Sequence, residues 1–222
     1  MKTVSCALIA LATAAGTAAA GYTVDTDAAV TFAGSDLNGI VGTGIPNSNF
    51  VRAINAGEDI EIGLKAIERF VGDLPNTGDR YFADAGESDP GLATWNYVLV
   101  ANLGPRTIAD LQINLLVDFD PAFGATDFVD VDITTSAVLG GFGSLSTFGD
   151  SQNLGFDFWS LALGAPPFDP NAPGEYDFVF TVTDPTNGVV LAEVTNVVEV
   201  VPAPAGAAAF AALGVFALRR RR

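Results

Sequence analysis

Two β-patterned runs joined by an Asn-Gly turn constrain the fold of this chain more than any other feature. Tyr176, Phe178, Phe180 and Val182 alternate with Asp177, Val179, Thr181 and Thr183. Asp184-Pro185-Thr186-Asn187-Gly188 then turns the chain, and Val189–Val200 returns as a second β-rich run. A period of two places one set of side chains on a buried face. Asn-Gly between two such runs is a strong hairpin signal.

The same period recurs upstream. Asp59–Lys65 sets Ile60, Ile62 and Leu64 on one side and Glu61 and Lys65 on the other, while Ala66–Phe70 also reads as a helical turn. Thr94–Ala101 aligns Trp95, Tyr97, Leu99 and Ala101, and Val98 with Val100 makes the second face apolar as well, the pattern of a strand between two layers. Leu111, Ile113, Leu115 and Val117 stand against Asp110, Gln112 and Asn114. Val129, Val131 and Ile133 stand against Asp130 and Asp132, which predicts a strand over Phe128–Ile133. Gly140–Gly155 reads as a long Gly/Ser-rich loop, and Phe156–Leu163 carries an aromatic cluster of Phe156, Phe158 and Trp159. Seven to nine strands with polar links and no clear amphipathic helix predict an all-β fold, a single antiparallel β-sandwich or jelly-roll-like domain.

The ends of the chain differ from this body. Residues 1–20 carry one charge, Lys2, an apolar run from Val4 to Leu11, and the small-residue close Thr17-Ala18-Ala19-Ala20. That is the pattern of a secretory signal peptide cleaved between Ala20 and Gly21. The one cysteine, Cys6, lies inside this leader, so the mature chain has no thiol and must be held by its core. Residues 21–200, about 180 residues, suffice for one domain with a sizeable core. Residues 201–222 read VPAPAGAAAFAALGVFALRRRR. The apolar run 205–218 is too short to be a comfortable permanent span, since a bilayer needs about 20 residues.

Val201, Pro202, Ala203, Pro204 and Ala205, the apolar helix after them and the basic end Arg219, Arg220, Arg221 and Arg222 resemble the PEP-CTERM sorting signal of Gram-negative bacteria. Ala203 stands where the named motif has glutamate, so the match is to its VPxPA variant. The resemblance implies transient anchoring in the inner membrane, an exosortase-type membrane processing enzyme as partner, and export to the cell surface or beyond, often among exopolysaccharide. Glu61–Ala66 with Glu68-Arg69-Phe70, and Pro167–Pro170 leading into Gly174-Glu175-Tyr176, look like segments of uncharacterised exported proteins with this tail.

Charge and missing side chains narrow the chemistry. The whole chain carries a net −16; without Lys2 and the four terminal arginines, five basic residues face 26 acidic ones, hence −21. Such a body repels nucleic acid, because phosphate binding requires basic residues. With no histidine there is no Ser-His-Asp triad and no imidazole ligand. Gly140-Gly141-Phe142-Gly143 precedes no helical pattern and is not a phosphate loop. Two carboxylates alone can hydrolyse glycosides, but no pair stands out among so many acids. No catalysis and no cofactor are expected.

Two binding readings remain. Asp118, Asp120 and Asp127 flank a loop with Pro121 and Gly124 and could offer oxygens to calcium, although their spacing is not that of an EF-hand. Trp95, Trp159, Tyr81 and Tyr97 could stack on sugars, although a tryptophan among apolar residues more often fills a core. The leading expectation is an exported surface or extracellular-matrix protein with a structural or adhesive role. The alternative is a carbohydrate- or calcium-binding β-sandwich module.

Overall fold

The computed structural model describes residues 21–32, 45–124 and 128–203. The strands in the first half are β1 (Thr23–Ala28), β2 (Phe50–Asn55), β3 (Ile60–Glu68), β4 (Gly72–Asp73), β5 (Asn76–Thr77), β6 (Arg80–Asp84), β7 (Glu87–Asp89) and β8 (Leu92–Ala93). Those in the second half are β9 (Trp95–Asn102), β10 (Gln112–Asp118), β11 (Phe128–Asp132), β12 (Thr147–Gln152), β13 (Gly174–Thr183) and β14 (Val190–Val201). Two one-to-two-turn helices interrupt them, α1 (Ile133–Leu139) and α2 (Asp157–Leu163).

Two sheets form an all-β sandwich. One runs β1-β2-β3-β9-β12, with β4 beside β3; the other runs β11-β10-β13-β14-β6-β5. All neighbours are antiparallel except β14 and β6, which are parallel and pair Val197–Val201 with Arg80–Asp84. The hairpin predicted from the Asn-Gly turn is β13–β14, with Phe180 opposite Val194 and Phe178 opposite Asn196. Strand β14 runs through Val201, one residue beyond the predicted end of the domain, and the Val201 carbonyl accepts from the Ala85 amide at 2.8 Å.

Period-two side chains of the two sheets meet in one core. Ile62, Leu64, Trp95, Tyr97 and Leu99 of the first pack against Ile113, Leu115, Phe178, Phe180 and Val194 of the second. Aromatic contacts cross the gap, with Tyr97 and Phe178 centroids 5.1 Å apart and Trp95 and Tyr176 5.7 Å apart. Each buried side chain of this size stabilises by roughly 1.5–3 kcal/mol.

The polar face expected on β3 is not wet. Glu61 and Lys65 are buried, and β3 continues as strand to Glu68 where a helical turn was also readable. The chain at 30–32 and 45–49 lies over this face and makes a second small core of Val30, Phe50, Ile67, Val98 and Val100. Glu61 and Lys65 are the hooks that hold it. Glu61 accepts from the Thr31 amide at 2.8 Å. The Lys65 ammonium donates to the carbonyls of Pro46 (2.5 Å) and Ser48 (3.1 Å) and to Asp73 (2.6 Å). Gly63 permits the crossing: a Cβ there would sit 2.9 Å from Val30 and 3.0 Å from Phe50 and Val100. The apolar second face predicted from Val98 and Val100 is this buried layer.

Three further expectations are corrected. Strand β11 ends at Asp132, one residue short, because the Asp132 carboxylate caps α1 by accepting from the Thr135 amide at 2.8 Å. The segment 140–155 is not all loop, since Thr147–Gln152 pairs with β9 as an edge strand. The strand count is fourteen among the described residues, four of them only two or three residues long, rather than seven to nine.

Candidate functional site

Strand β12 sets the site. Its register places Phe148, Asp150 and Gln152 opposite Ala101, Leu99 and Tyr97 of β9. Cross-strand partners share a face, and Tyr97, Leu99 and Ala101 belong to the inter-sheet core. Asp150 and Gln152 therefore enter the sandwich at its edge, where the central strands instead fill the gap with Phe178 and Phe180. Gly149 adds no bulk. The space left between β12 and the opposing Leu115 and Val131 is a cavity of about 410 Å3, within the range that takes a small organic ligand.

The two helices roof this cavity. Ile133, Ser136 and Ala137 of α1 and Phe158, Trp159, Ala162 and Leu163 of α2 line it, with Phe142 between the helices. Asn153 holds the second half of this roof in place. It is fully buried; its Oδ1 accepts from the amides of Ala93 and Gly155, both at 3.0 Å. Its Nδ2 donates to the carbonyls of Ala93 (3.1 Å) and Trp95 (2.8 Å) and to Asn96 Oδ1 (2.9 Å). Its backbone carbonyl accepts from the Trp159 indole at 3.1 Å. Gly155 rests directly on the β7–β8 turn, where a Cβ would lie 1.9 Å from the Gly91 carbonyl oxygen. Trp159 then packs its ring 5.2 Å from Phe119 and 6.1 Å from Tyr97.

The wall is apolar and its one titrating acid is Asp150. Its carboxylate accepts from the Ser151 amide at 2.8 Å and from Gln152 Nε2 at 2.6 Å. Burial pushes the Asp150 carboxyl above the ordinary aspartate value. Burial, and then the charge of Asp150, pushes the neighbouring Tyr97 phenol well up. The mouth is apolar too. Of the ten large apolar side chains exposed among the described residues, Val138, Leu139, Phe142, Phe158 and Leu161 belong to α1, α2 and the turn between α1 and β12. Of these, Phe142 and Phe158 line the cavity itself, so its open side presents apolar surface of the kind that marks a binding site.

Of the residues singled out from the sequence, Tyr97 and Trp159 line this cavity and the others lie elsewhere. Asp118 is buried at the end of β10, where its Oδ1 accepts from the Asp120 amide at 2.9 Å; Asp120 does the same for Ala122 at 2.9 Å. These are Asx turns, and Asp127 lies outside the described residues. Among the described residues no three or more His, Cys, Asp or Glu converge as metal ligands would. Trp95, Trp159, Tyr81 and Tyr97 are all buried, so none offers an open ring face to a sugar. In the tail motif Val201 is in β14 and Pro202 is exposed, whereas Pro204, Ala205 and Arg219–Arg222 lie outside the described residues, as does Ala20 beside Gly21. No helix among the described residues is long and apolar enough to cross a membrane. The cavity itself was missed, though the inward face Phe148-Asp150-Gln152 alternates in the sequence.

No protein-family model and no curated protein matches this chain. Among solved structures it is similar to the soluble domain of PmoD from Methylocystis sp., at 15% identity and a TM-score of 0.30, over 63% of this chain and 91% of that one.

Proposed function

We propose that this chain is an exported, non-catalytic β-sandwich that works by binding, with the cavity under α1 and α2 as its site. The observation that carries the reading is that cavity: it is preformed, largely apolar, about 410 Å3, and has the exposed rings of Phe142 and Phe158 in its lining. Stable binding proteins keep such a space open, because an unfilled apolar cavity costs stability that packing would otherwise recover.

In this reading the leader at 1–20 sends the chain out and the tail at 201–222 is a removable address, handled by an exosortase-type enzyme at the inner membrane. The passenger then serves a structural or adhesive role at the surface or in an exopolysaccharide matrix. Two tests apply. The fluorescent apolar dye N-phenylnaphthylamine should bind the full chain saturably at one site and lose that site in Ala162→Trp, which blocks the mouth; unsaturable or unaffected binding contradicts the cavity reading. Mass spectrometry of the mature protein from its native host should find the Arg219–Arg222 end removed; an intact end contradicts the sorting reading.

A further inference from the structure

The chemistry of the cavity names the class of its ligand. Its body must be apolar, since Leu99, Leu115, Val131 and Phe158 form the walls. One carboxylate, that of Asp150, stands among them, and it makes no ion pair with any described residue. Every basic side chain of the described body is committed elsewhere. Arg52 pairs with Asp25, Lys65 with Asp73, Arg69 with Asp89, Arg80 with Glu175 and Glu199, and Arg106 with Glu58. Asp150 is half-buried, and a carboxylate partly withdrawn from water without a counter-charge is costly. What would offset that cost is a cation brought by the ligand, in a protein whose overall charge already attracts cations.

We propose that the cavity binds small amphiphilic cations, an aromatic or aliphatic body between the sheets with an ammonium group at Asp150 and Gln152. This rests on the cavity being the binding site. An inward charge on an edge strand also discourages edge-to-edge pairing, but that role selects no ligand, which makes charge selectivity the decisive readout.

Three probes of one shape and different charge test it on the purified full chain by titration calorimetry: naphthylmethylamine, naphthalenemethanol and naphthoate. The amine should bind about tenfold or more tighter than the alcohol, the worth of one charge-assisted hydrogen bond, and naphthoate weakest. Asp150→Asn should bring amine and alcohol to equal affinity while leaving the alcohol unchanged. Ala162→Trp should weaken all three. If the three bind alike and Ala162→Trp still removes them, the cavity is a site but the cation class is wrong. If none binds, or Ala162→Trp has no effect, the cavity reading falls with it. A dimer that Ala162→Trp dissolves, with no probe bound, assigns the mouth to a second copy and overturns the proposal.

Discussion

Asn153→Ala is the substitution that most sharply probes how the site is held. The side chain makes five hydrogen bonds in a fully buried position. The two acceptor bonds come from backbone amides, which can only donate, so the orientation of the amide is fixed by its partners. Truncation leaves the Ala93 amide without its partner in a dry environment, whereas the Ala93 carbonyl still accepts from the Ser88 hydroxyl at 2.9 Å. Each typical bond contributes about 1 kcal/mol net, and each buried group left unsatisfied costs about 1–3 kcal/mol. Allowing for Nδ2 sharing two protons among three acceptors, the loss should be about 3–5 kcal/mol. Urea denaturation followed by the fluorescence of Trp95 and Trp159, the two tryptophans of the chain, measures it. Both rings are buried, so unfolding changes their emission. Asn153→Asp should lose at least as much, because it points an acceptor or a buried charge at three oxygens. A loss below about 1 kcal/mol for Asn153→Ala would refute the reasoning.

Other substitutions test separate parts of the structure. Asn196 on β14 faces the core, buried, and its side-chain amide finds no hydrogen-bond partner among the described residues; Asn196→Leu should raise stability by about 1–2 kcal/mol in the same urea assay, and a loss would contradict the assignment. Lys65→Met removes the ammonium that holds residues 46 and 48 and Asp73, and should cost about 3 kcal/mol, as expected for breaking a buried pair; calorimetric unfolding showing no loss would contradict it. For Asp150, whose folded value is raised, the unfolded chain releases its proton near 3.8 while the folded chain keeps it. Its contribution to stability therefore falls as pH rises from that point to the folded value. Asp150→Asn should match wild type below pH 3.8, gain in melting temperature over wild type as pH rises to the folded value, and hold that gain above it; a difference that does not change across that interval, or has the opposite sign, would contradict the burial of this acid.

The sandwich was legible where one period ran uninterrupted. In β9, β10, β13 and β14 the alternating apolar face in the sequence is the buried face in the fold. It was not legible where a polar residue served a tertiary contact. Glu61 and Lys65 read as solvent-facing because nothing local reveals that residues 30–32 and 45–49 cross over them. Asp132 read as a strand residue because Ile133-Thr134-Thr135 is β-branched, and only the capping bond makes it a helix start. Strand β12 was hidden because one apolar residue, Phe148, lies between glycines and polar residues; pairing with β9 makes it a strand. The cavity depends on the absence of bulk at that edge, which appears only when the two sheets are assembled.

The most direct test of the account is a crystal structure of the full chain grown with naphthylmethylamine. The account predicts the ring between the sheets beneath Phe158, with its ammonium about 2.8 Å from an Asp150 carboxylate oxygen. A ligand bound anywhere else, or the roof of α1 and α2 collapsed onto β12 with the cavity filled by protein side chains, would contradict it.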